Sequence, residues 1–273
     1  MDSPLYIIRE RGRYGFIDRL GDVVIEPQYV QVEPFYNRFA RVRFDDRLVP
    51  MDEMGRLLLR HAFRYVGYFE EGLARVQLVR RWGYIDVRGR LAIPVQYEAA
   101  GDFSEGLAAV APGPYYGYIQ PDTEWVIPPE FDEAGPFSHG MAAVQIGEKW
   151  GFIDRSGSLA IAPQFDWAGR FQDHVAVVQE GDYWGLIDAA GALLAEPQYE
   201  YVENLANGEF YEGLAVIVQE GKYGFVGQDG ELRVPPRFTF AGDFRDGRAP
   251  VELHNRFGYV DTEGELVIKA GFE

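Results

Sequence analysis

Apolar and polar residues alternate over short stretches of this chain, and the stretches recur in groups of three. Examples of a first, a second and a third stretch are Leu107–Val110, Trp150–Asp154 and Leu159–Phe165. Alternation with a period of two is typical of β-strands. The segment Asp154–Gly157, which joins a second stretch to a third, has the residues of a tight turn. The pattern therefore predicts an all-β protein built from repeats of three short antiparallel strands.

Two markers recur with the same period of about 34 residues, a length typical of repeat proteins. The first marker is an aromatic residue followed by glycine in the second stretch, and the second is a phenylalanine that precedes the first stretch. The aromatic-Gly pairs are Tyr14-Gly15, Trp82-Gly83, Tyr116-Gly117, Trp150-Gly151, Trp184-Gly185, Tyr223-Gly224 and Phe257-Gly258. The phenylalanines are Phe35, Phe69, Phe103, Phe137, Phe171, Phe210 and Phe244. Two series with one shared period indicate a repeat architecture.

Both series contain one longer interval, which places an insertion of five residues between Gly185 and Phe210. One aromatic-Gly pair is missing, because Val49 takes the place of its glycine in a degenerate second repeat. We expect a single repeat domain over residues 1–273 with eight repeats. The predicted repeats span about residues 5–34, 35–68, 69–102, 103–136, 137–170, 171–209, 210–243 and 244–273.

The glycine of each aromatic-Gly pair predicts a close approach to the backbone. Glycine weakens a strand, so its recurrence indicates that another group comes too near for a side chain. We expect that group to belong to the neighbouring repeat, which would make the pair a device for packing repeats together. Proline near the end of the third stretch, as at Pro163, is expected to stop further strand pairing.

These stretches resemble the WG (or KWG) repeat family of bacterial proteins. The resemblance rests on the aromatic-Gly-aromatic-Ile-Asp-x-x-Gly stretches, on the third strand Val126–Phe131 and on the segment Phe103–Val110. It covers about residues 5–273. The resemblance implies the type of repeat and implies no particular activity.

The predicted architecture is an open β-solenoid or superhelix of stacked repeats. A propeller blade has four strands in about 40 or more residues, and the period of this chain is short for that. The linker between repeats, such as Gln96–Phe103, has apolar residues at steps of three and resembles a turn of helix or a crossing segment. If the linker formed a fourth strand, an eight-bladed β-propeller would be the alternative.

Composition and charge narrow the function. The chain has no cysteine, which excludes disulfides, thiolate catalysis and Cys-ligated zinc. Its net charge of −17 argues against binding to nucleic acid or to an anionic membrane. No apolar run approaches a membrane span, and the first residues do not form a signal peptide. We expect a cytoplasmic protein.

Candidate catalytic and metal-binding residues are few. The four histidines, His61, His139, His174 and His254, lie at different places in the repeat. Aspartates recur in the turns, which fits either Asx-type turn capping or calcium binding. We expect no enzymatic activity, no cofactor and no metal, and we interpret the aspartates as turn caps.

Arginines in the first repeats form the candidate binding site. Arg41 and Arg75 lie one period apart, as do Arg56 and Arg90, so each pair forms a column. The predicted basic patch consists of Arg41, Arg43, Arg56, Arg75, Arg80, Arg81 and Arg90. It could meet an acidic protein, a phosphate-bearing ligand or the acidic end of another copy, since residues 101–273 hold 29 acidic and 10 basic residues. The alternative is that these arginines are scattered and solvated.

The sequence thus predicts a non-enzymatic scaffold that binds another protein, with self-association as a further possibility. A carbohydrate-binding or cell-envelope-binding module is the alternative. It would use aromatic residues that interrupt polar positions, which are Tyr115, Trp125, Trp167 and Tyr183.

Overall fold

The computed structural model describes residues 5–44, 47–58 and 63–272. Contacts divide the chain into two parts, the N-terminal half Met1–Glu130 and the C-terminal half Phe131–Glu273. Each half is an array of small antiparallel sheets, and the described residues hold eight such sheets. Their all-β character and their eightfold repetition confirm the all-β repeat fold that the hydrophobic pattern predicts.

The N-terminal half contains a three-stranded, a two-stranded and two four-stranded sheets, formed in chain order by β1–β3, β4–β5, β6–β9 and β10–β13. Its strands are β1 Tyr6–Glu10, β2 Arg13–Ile17, β3 Val23–Tyr29, β4 Phe39–Phe44, β5 Arg47–Asp52, β6 Tyr65–Glu70, β7 Leu73–Leu78, β8 Arg81–Asp86, β9 Leu91–Tyr97, β10 Ala99–Ala100, β11 Ala108–Ala111, β12 Tyr116–Ile119 and β13 Trp125–Phe131.

The C-terminal half contains three four-stranded sheets and one three-stranded sheet, formed by β14–β17, β18–β21, β22–β24 and β25–β28. Its elements are β14 Glu133–Ala134, β15 Met141–Ile146, β16 Lys149–Asp154, β17 Leu159–Phe165, β18 Trp167–Ala168, β19 Val175–Glu180, β20 Tyr183–Asp188, β21 Leu193–Tyr199, α1 Glu203–Ala206, β22 Leu214–Gln219, β23 Lys222–Gly227, β24 Leu232–Phe238, β25 Phe240–Ala241, β26 Ala249–Leu253, β27 Arg256–Val260 and β28 Leu266–Phe272.

The linker between repeats is a strand in five of the eight sheets, which corrects the expectation of a helical turn or crossing segment. Ala99–Ala100, for example, pairs with β11, and Trp167–Ala168 pairs with β19. The apolar spacing of three in the linker does not reflect a helix, because only one side of this short strand is buried. In the sixth repeat the inserted residues form the helix α1, whose Leu205 and Ala206 are buried.

The aromatic-Gly pair packs against its own repeat, which corrects the expectation that a neighbouring repeat approaches it. A Cβ atom added to Gly151 would lie 2.5 Å from the carbonyl oxygen of Ile161 on β17. The same contact recurs in the first repeat, where a Cβ atom on Gly15 would lie 2.4 Å from the oxygen of Ile25. The third strand of the sheet bulges towards the second at this point, and the bulge leaves no room for a side chain.

The prolines of the third strand lie within this bulge and do not end the strand. Trp150 pairs with Phe165 and Phe152 pairs with Ile161. A distance of two residues along β16 therefore corresponds to four residues along β17. Pro163 lies between the two pairs and lacks an N–H group to donate. The bulge accommodates this missing donor, and pairing resumes beyond it.

Successive repeats are joined by edge-to-face ring pairs. The second aromatic of the strand that holds the glycine packs against the phenylalanine that opens the next repeat. Within the N-terminal half, the centroid distance is 4.9 Å for Phe16–Phe35 and 5.0 Å for Tyr84–Phe103. Within the C-terminal half, it is 4.8 Å for Phe225–Phe244. At these three places the later repeat therefore contributes an aromatic ring to the core of the repeat that precedes it.

None of the helices in the described part of the chain has the length and apolarity needed to cross a membrane.

We predict that Gly151→Ala destabilises the protein by about 1–3 kcal/mol, the usual cost of adding an atom to a well-packed site. The new Cβ atom would collide with the backbone of β17, which cannot rotate out of the way as a side chain can. Urea unfolding followed by circular dichroism measures the loss.

Gly113→Ala is the matched control, because nothing lies within 4 Å of its added Cβ atom. Equal stabilities of the Gly151 and Gly113 variants would contradict this account of the aromatic-Gly pair.

Candidate functional site

Arg41 and Arg75 each reach from one repeat to the linker of the next. Arg75 donates through Nη1 to the carbonyl oxygen of Ala100 at 3.1 Å, and Arg41 donates through Nη1 to the oxygen of Val66, also at 3.1 Å. Both side chains are largely buried, with 13% of Arg41 and 30% of Arg75 exposed. The predicted column therefore exists, and its two members tie repeats together.

Carboxylates neutralise both members of the column. Arg41 Nε lies 2.5 Å from Glu33 Oε2, and Arg75 Nε lies 3.0 Å from Asp102 Oδ1. The second contact is an ion pair whose orientation does not make it a hydrogen bond. Burial raises the pKa of Asp102, and the positive charges of Arg75 and Arg41 offset part of that rise. The two arginines and Asp102 thus belong to one charged cluster.

Aromatic rings complete the surroundings of these guanidinium groups. The Arg41 guanidinium lies 3.9 Å from the centroid of Tyr68. The Arg75 guanidinium lies 5.7 Å from Tyr65 and 5.6 Å from Trp82. Distances below about 6 Å allow a cation–π attraction. We call the space that holds the Arg75 side chain, beside Gly67, Trp82 and Ala100, the arginine slot.

The other five arginines lie at the surface. Arg56 pairs with Asp52 and Arg90 pairs with Asp86, each at 2.6 Å within its own turn. Arg81 pairs with Glu98 and donates to the carbonyl oxygen of Gln96. Arg43 donates to Gln31 Oε1. Arg80 is exposed. The structure therefore brings Arg41 and Arg75 together in one cluster and leaves each turn arginine with its own aspartate. The use of all seven as a partner-binding patch stays a prediction.

The repeated aspartates cap turns. Asp154 Oδ1 accepts hydrogen bonds from the backbone of Ser156 at 2.8 Å and of Ser158 at 3.1 Å. The Ser156 hydroxyl and these backbone donors lower the pKa of Asp154. The same geometry recurs at Asp18, Asp52, Asp86, Asp188 and Asp261. This is the Asx-type capping that the sequence favours over calcium binding.

No group of three or more His, Asp or Glu that could hold a metal occurs in residues 5–44, 47–58 and 63–272. His61 lies outside the described residues. His139 accepts a hydrogen bond through Nε2 from the backbone of Asp173 at 3.0 Å, which joins two neighbouring turns.

A cavity of 380 Å³ opens in the C-terminal half, between successive linkers. Trp150 and Trp167 form aromatic walls, and Gly135, Ala143 and Ala168 form small ones. The polar side chains that line the cavity belong to Arg170 and to Asn207 and Glu209, which follow α1.

Sequence reasoning finds part of this cavity. Trp150 and Trp167 stand out as recurring or interrupting aromatics, but Arg170, Asn207 and Glu209 were missed. One feature of the sequence could have revealed the cavity. Two periods after Arg75 the chain has Ala143, a much smaller residue at the same place in the repeat. Asn207 follows α1 in the inserted segment, for which no other repeat offers a guide, whereas Glu209 precedes Phe210 as Arg170 precedes Phe171.

A family model described as "WG containing repeat" matches nearly the whole chain in eight segments. They are residues 14–47, 51–78, 82–111, 116–150, 150–184, 184–223, 223–256 and 257–273. No curated protein matches the chain.

Solved structures share the fold at low identity. The crystal structure of the eukaryotic initiation factor matches with 10% identity and a TM-score of 0.59, over 98% of this chain and 85% of that chain. Kluyveromyces lactis Hsv2 with complete loop 6CD matches with 9% identity and a TM-score of 0.45, over 92% and 93% of the two chains. The AfRom2 CNH domain matches with 12% identity and a TM-score of 0.44, over 85% and 91%. The likeness to the initiation factor, which is propeller-like, is one of fold alone.

We predict that Arg75→Ala destabilises the protein by roughly 1–3 kcal/mol at pH 7, since it removes a charged hydrogen bond and the partner of a half-buried carboxylate. Its effect should depend on pH. An acid whose pKa is raised by folding costs stability when ionised, and that cost disappears as the pH falls through its folded-state pKa. Without Arg75 the pKa of Asp102 rises further, so the loss should be larger at pH 7 than at pH 4. Urea unfolding at both values measures it.

Arg80→Ala is the control, because it removes the same charge from an exposed position. A loss of stability for Arg75→Ala that is identical at pH 4 and pH 7 would argue against the role given to Asp102.

Proposed function

Because the chain belongs to the WG repeat family, we propose that it is a non-enzymatic scaffold that binds other proteins through the loops between its first and second strands. One observation supports this function above all: the buried positions repeat from sheet to sheet, whereas these loops do not. Phe16, Tyr84, Tyr118, Phe152 and Phe225 occupy the same place in five repeats and are all completely buried.

The loops differ in chemistry at the same structural place. The tips are Arg11-Gly12, Val79-Arg80, Pro112–Tyr115, Gly147-Glu148, Gly181-Asp182, Glu220-Gly221 and His254-Asn255. Most of these residues are exposed. A fixed framework with variable loops is how repeat proteins build binding surfaces.

Several tips in the C-terminal half are held in place by carboxylates. Asp132 accepts from the backbone of Gly147 at 2.7 Å, Asp166 from Gly181 at 2.7 Å, and Glu200 from Gly221 at 2.9 Å. A loop that is ordered before binding loses less entropy when a partner docks. This supports a role for the tips in recognition.

A photoreactive amino acid placed at a tip tests the proposal. We expect p-benzoylphenylalanine at Val79 or at Asp182 to give discrete protein adducts in cells of the source organism. Leu20, which is exposed in a turn between second and third strands, is the control position. The scaffold function would be abandoned if neither tip gave an adduct that is absent from the Leu20 control. The proposal also places the scaffold in the cytoplasm, which fractionation of the same cells tests.

The arrangement of the repeats is part of the proposal. We infer an open array, with an eight-bladed propeller as the alternative that the fourth strands and the propeller-like neighbours support. Small-angle scattering distinguishes the two. An elongated particle is expected for the open array, and a compact disc would replace it with the propeller.

A carbohydrate-binding or cell-envelope-binding module is the second candidate. It is favoured by the cavity of the C-terminal half, where two indole rings lie near an amide and a carboxylate. Tyr115 in the N-terminal half and Tyr183 in the C-terminal half are each half exposed, as binding by aromatic side chains requires.

A further inference from the structure

The two halves contain strands with equivalent bounds around one position that holds arginine in the N-terminal half and alanine in the C-terminal half. A shift of two periods places β7, β8 and β10 on β15, β16 and β18 with identical bounds. The strand pairing agrees, because Val76 faces Gly83 in one sheet and Val144 faces Gly151 in the other. Under this shift Arg75 corresponds to Ala143.

In the N-terminal half the Arg75 side chain fills the arginine slot. Its Cγ lies 3.0 Å from where a Cβ atom of Gly67 would be, so the glycine makes room for the chain. Its guanidinium group lies near the Trp82 ring and donates to the oxygen of Ala100. The slot therefore binds a guanidinium group through an aromatic face and a backbone carbonyl.

In the C-terminal half the walls of the slot remain and the arginine is absent. Gly135, Trp150 and Ala168 stand where Gly67, Trp82 and Ala100 stand, and all three line the cavity of 380 Å³. Ala143, which is itself buried, contributes only a methyl group. The cavity is thus the arginine slot without its arginine.

We propose that this cavity binds the guanidinium group of an arginine side chain presented by a partner protein. The inference rests on the proposed scaffold function, because it takes the source of the arginine to be a protein. A planar guanidinium group is attracted to an indole ring and donates to a carbonyl, and Arg75 lies 5.6 Å from the Trp82 ring while it donates to Ala100. The C-terminal half has 24 acidic and 10 basic residues, a formal charge of −14 that attracts a cation.

Charges around the cavity differ from those around Arg75. Arg170 takes the place of Asp102, and Glu133 takes the place of Tyr65. Glu209 places a carboxylate in the wall of the cavity. The counter-charge for a bound guanidinium group therefore comes from different sides of the slot, and Arg170 opposes binding. Removal of that positive charge should strengthen the interaction.

Titration with N-acetyl-arginine amide, followed by NMR of the tryptophan indole signals, tests the proposal. We expect saturable binding by the intact protein, weaker binding of N-acetyl-lysine amide and none of N-acetyl-norleucine amide. Arg170→Asp should tighten arginine binding roughly fivefold, which corresponds to about 1 kcal/mol. Ala143→Arg should abolish binding, because it places in the cavity the side chain that fills the slot at Arg75.

Ala143→Arg should fold, since arginine occupies the same position at Arg41 and Arg75. Thermal unfolding checks this, and Ala143→Met fills the same space without charge if it does not. Undiminished binding of arginine amide by a folded variant of Ala143 would overturn the proposal. So would binding of methyl glycosides in place of arginine amide, which would favour the carbohydrate module.

The variant Arg75→Ala provides a second, independent test. It empties the slot in the N-terminal half while Asp102 remains. Methylguanidine should bind in the emptied slot and restore part of the lost stability. Failure of both methylguanidine and arginine amide would show that the slot cannot hold a free guanidinium group. Photocrosslinking at Val79 and Asp182 does not involve the cavity, so adducts there would leave the scaffold function standing while this inference falls.

Discussion

The contact between the glycine of the second strand and the bulged backbone of the third strand determines the geometry of each sheet. In six repeats an added Cβ atom would lie only 2.4 to 2.7 Å from a carbonyl oxygen of the third strand. The bulge of the third strand produces this proximity, and strand pairing resumes beyond the bulge. Aromatic residues then face each other across it, as Trp150 faces Phe165 and Trp184 faces Tyr199. The glycine of the second strand and the bulge and proline of the third strand therefore form one structural unit.

The contact between the glycine and the bulge lies within one repeat, and the packing between repeats involves nearest neighbours. Edge-to-face ring pairs join one repeat to the next, as at Phe225–Phe244. Arg41 and Arg75 do the same, because each bonds a carbonyl of the following linker. Stability in such an array is a sum of terms within repeats and terms between nearest neighbours. The loop tips contribute little to either term, so their sequences can vary without loss of the framework.

Much of this fold could be predicted from the period and the alternation of residues. The third strand Leu159–Phe165, the turn caps and the site of the insertion agree with expectation. The partner of the glycine was predicted wrongly, because sequence spacing does not reveal a bulge that changes register within one repeat. The column of Arg41 and Arg75 was predictable, but its neutralisation was not. Glu33 and Asp102 belong to linkers whose path depends on the fourth strand.

The column of Arg75 also shows how one residue can change the space between repeats while the framework persists. In the sheet around Arg75 and the sheet around Ala143, the last three strands have equivalent bounds and the second and third of the four strands pair in the same register, although one position holds a long cation and the other a methyl group. The walls of the slot are glycine, an indole ring and a backbone carbonyl, none of which requires the arginine to be present. Loss of the side chain therefore converts a tie between repeats into a cavity. A repeat protein of this kind can acquire a binding site by deletion of a side chain, at a place where the architecture already contains the recognition chemistry.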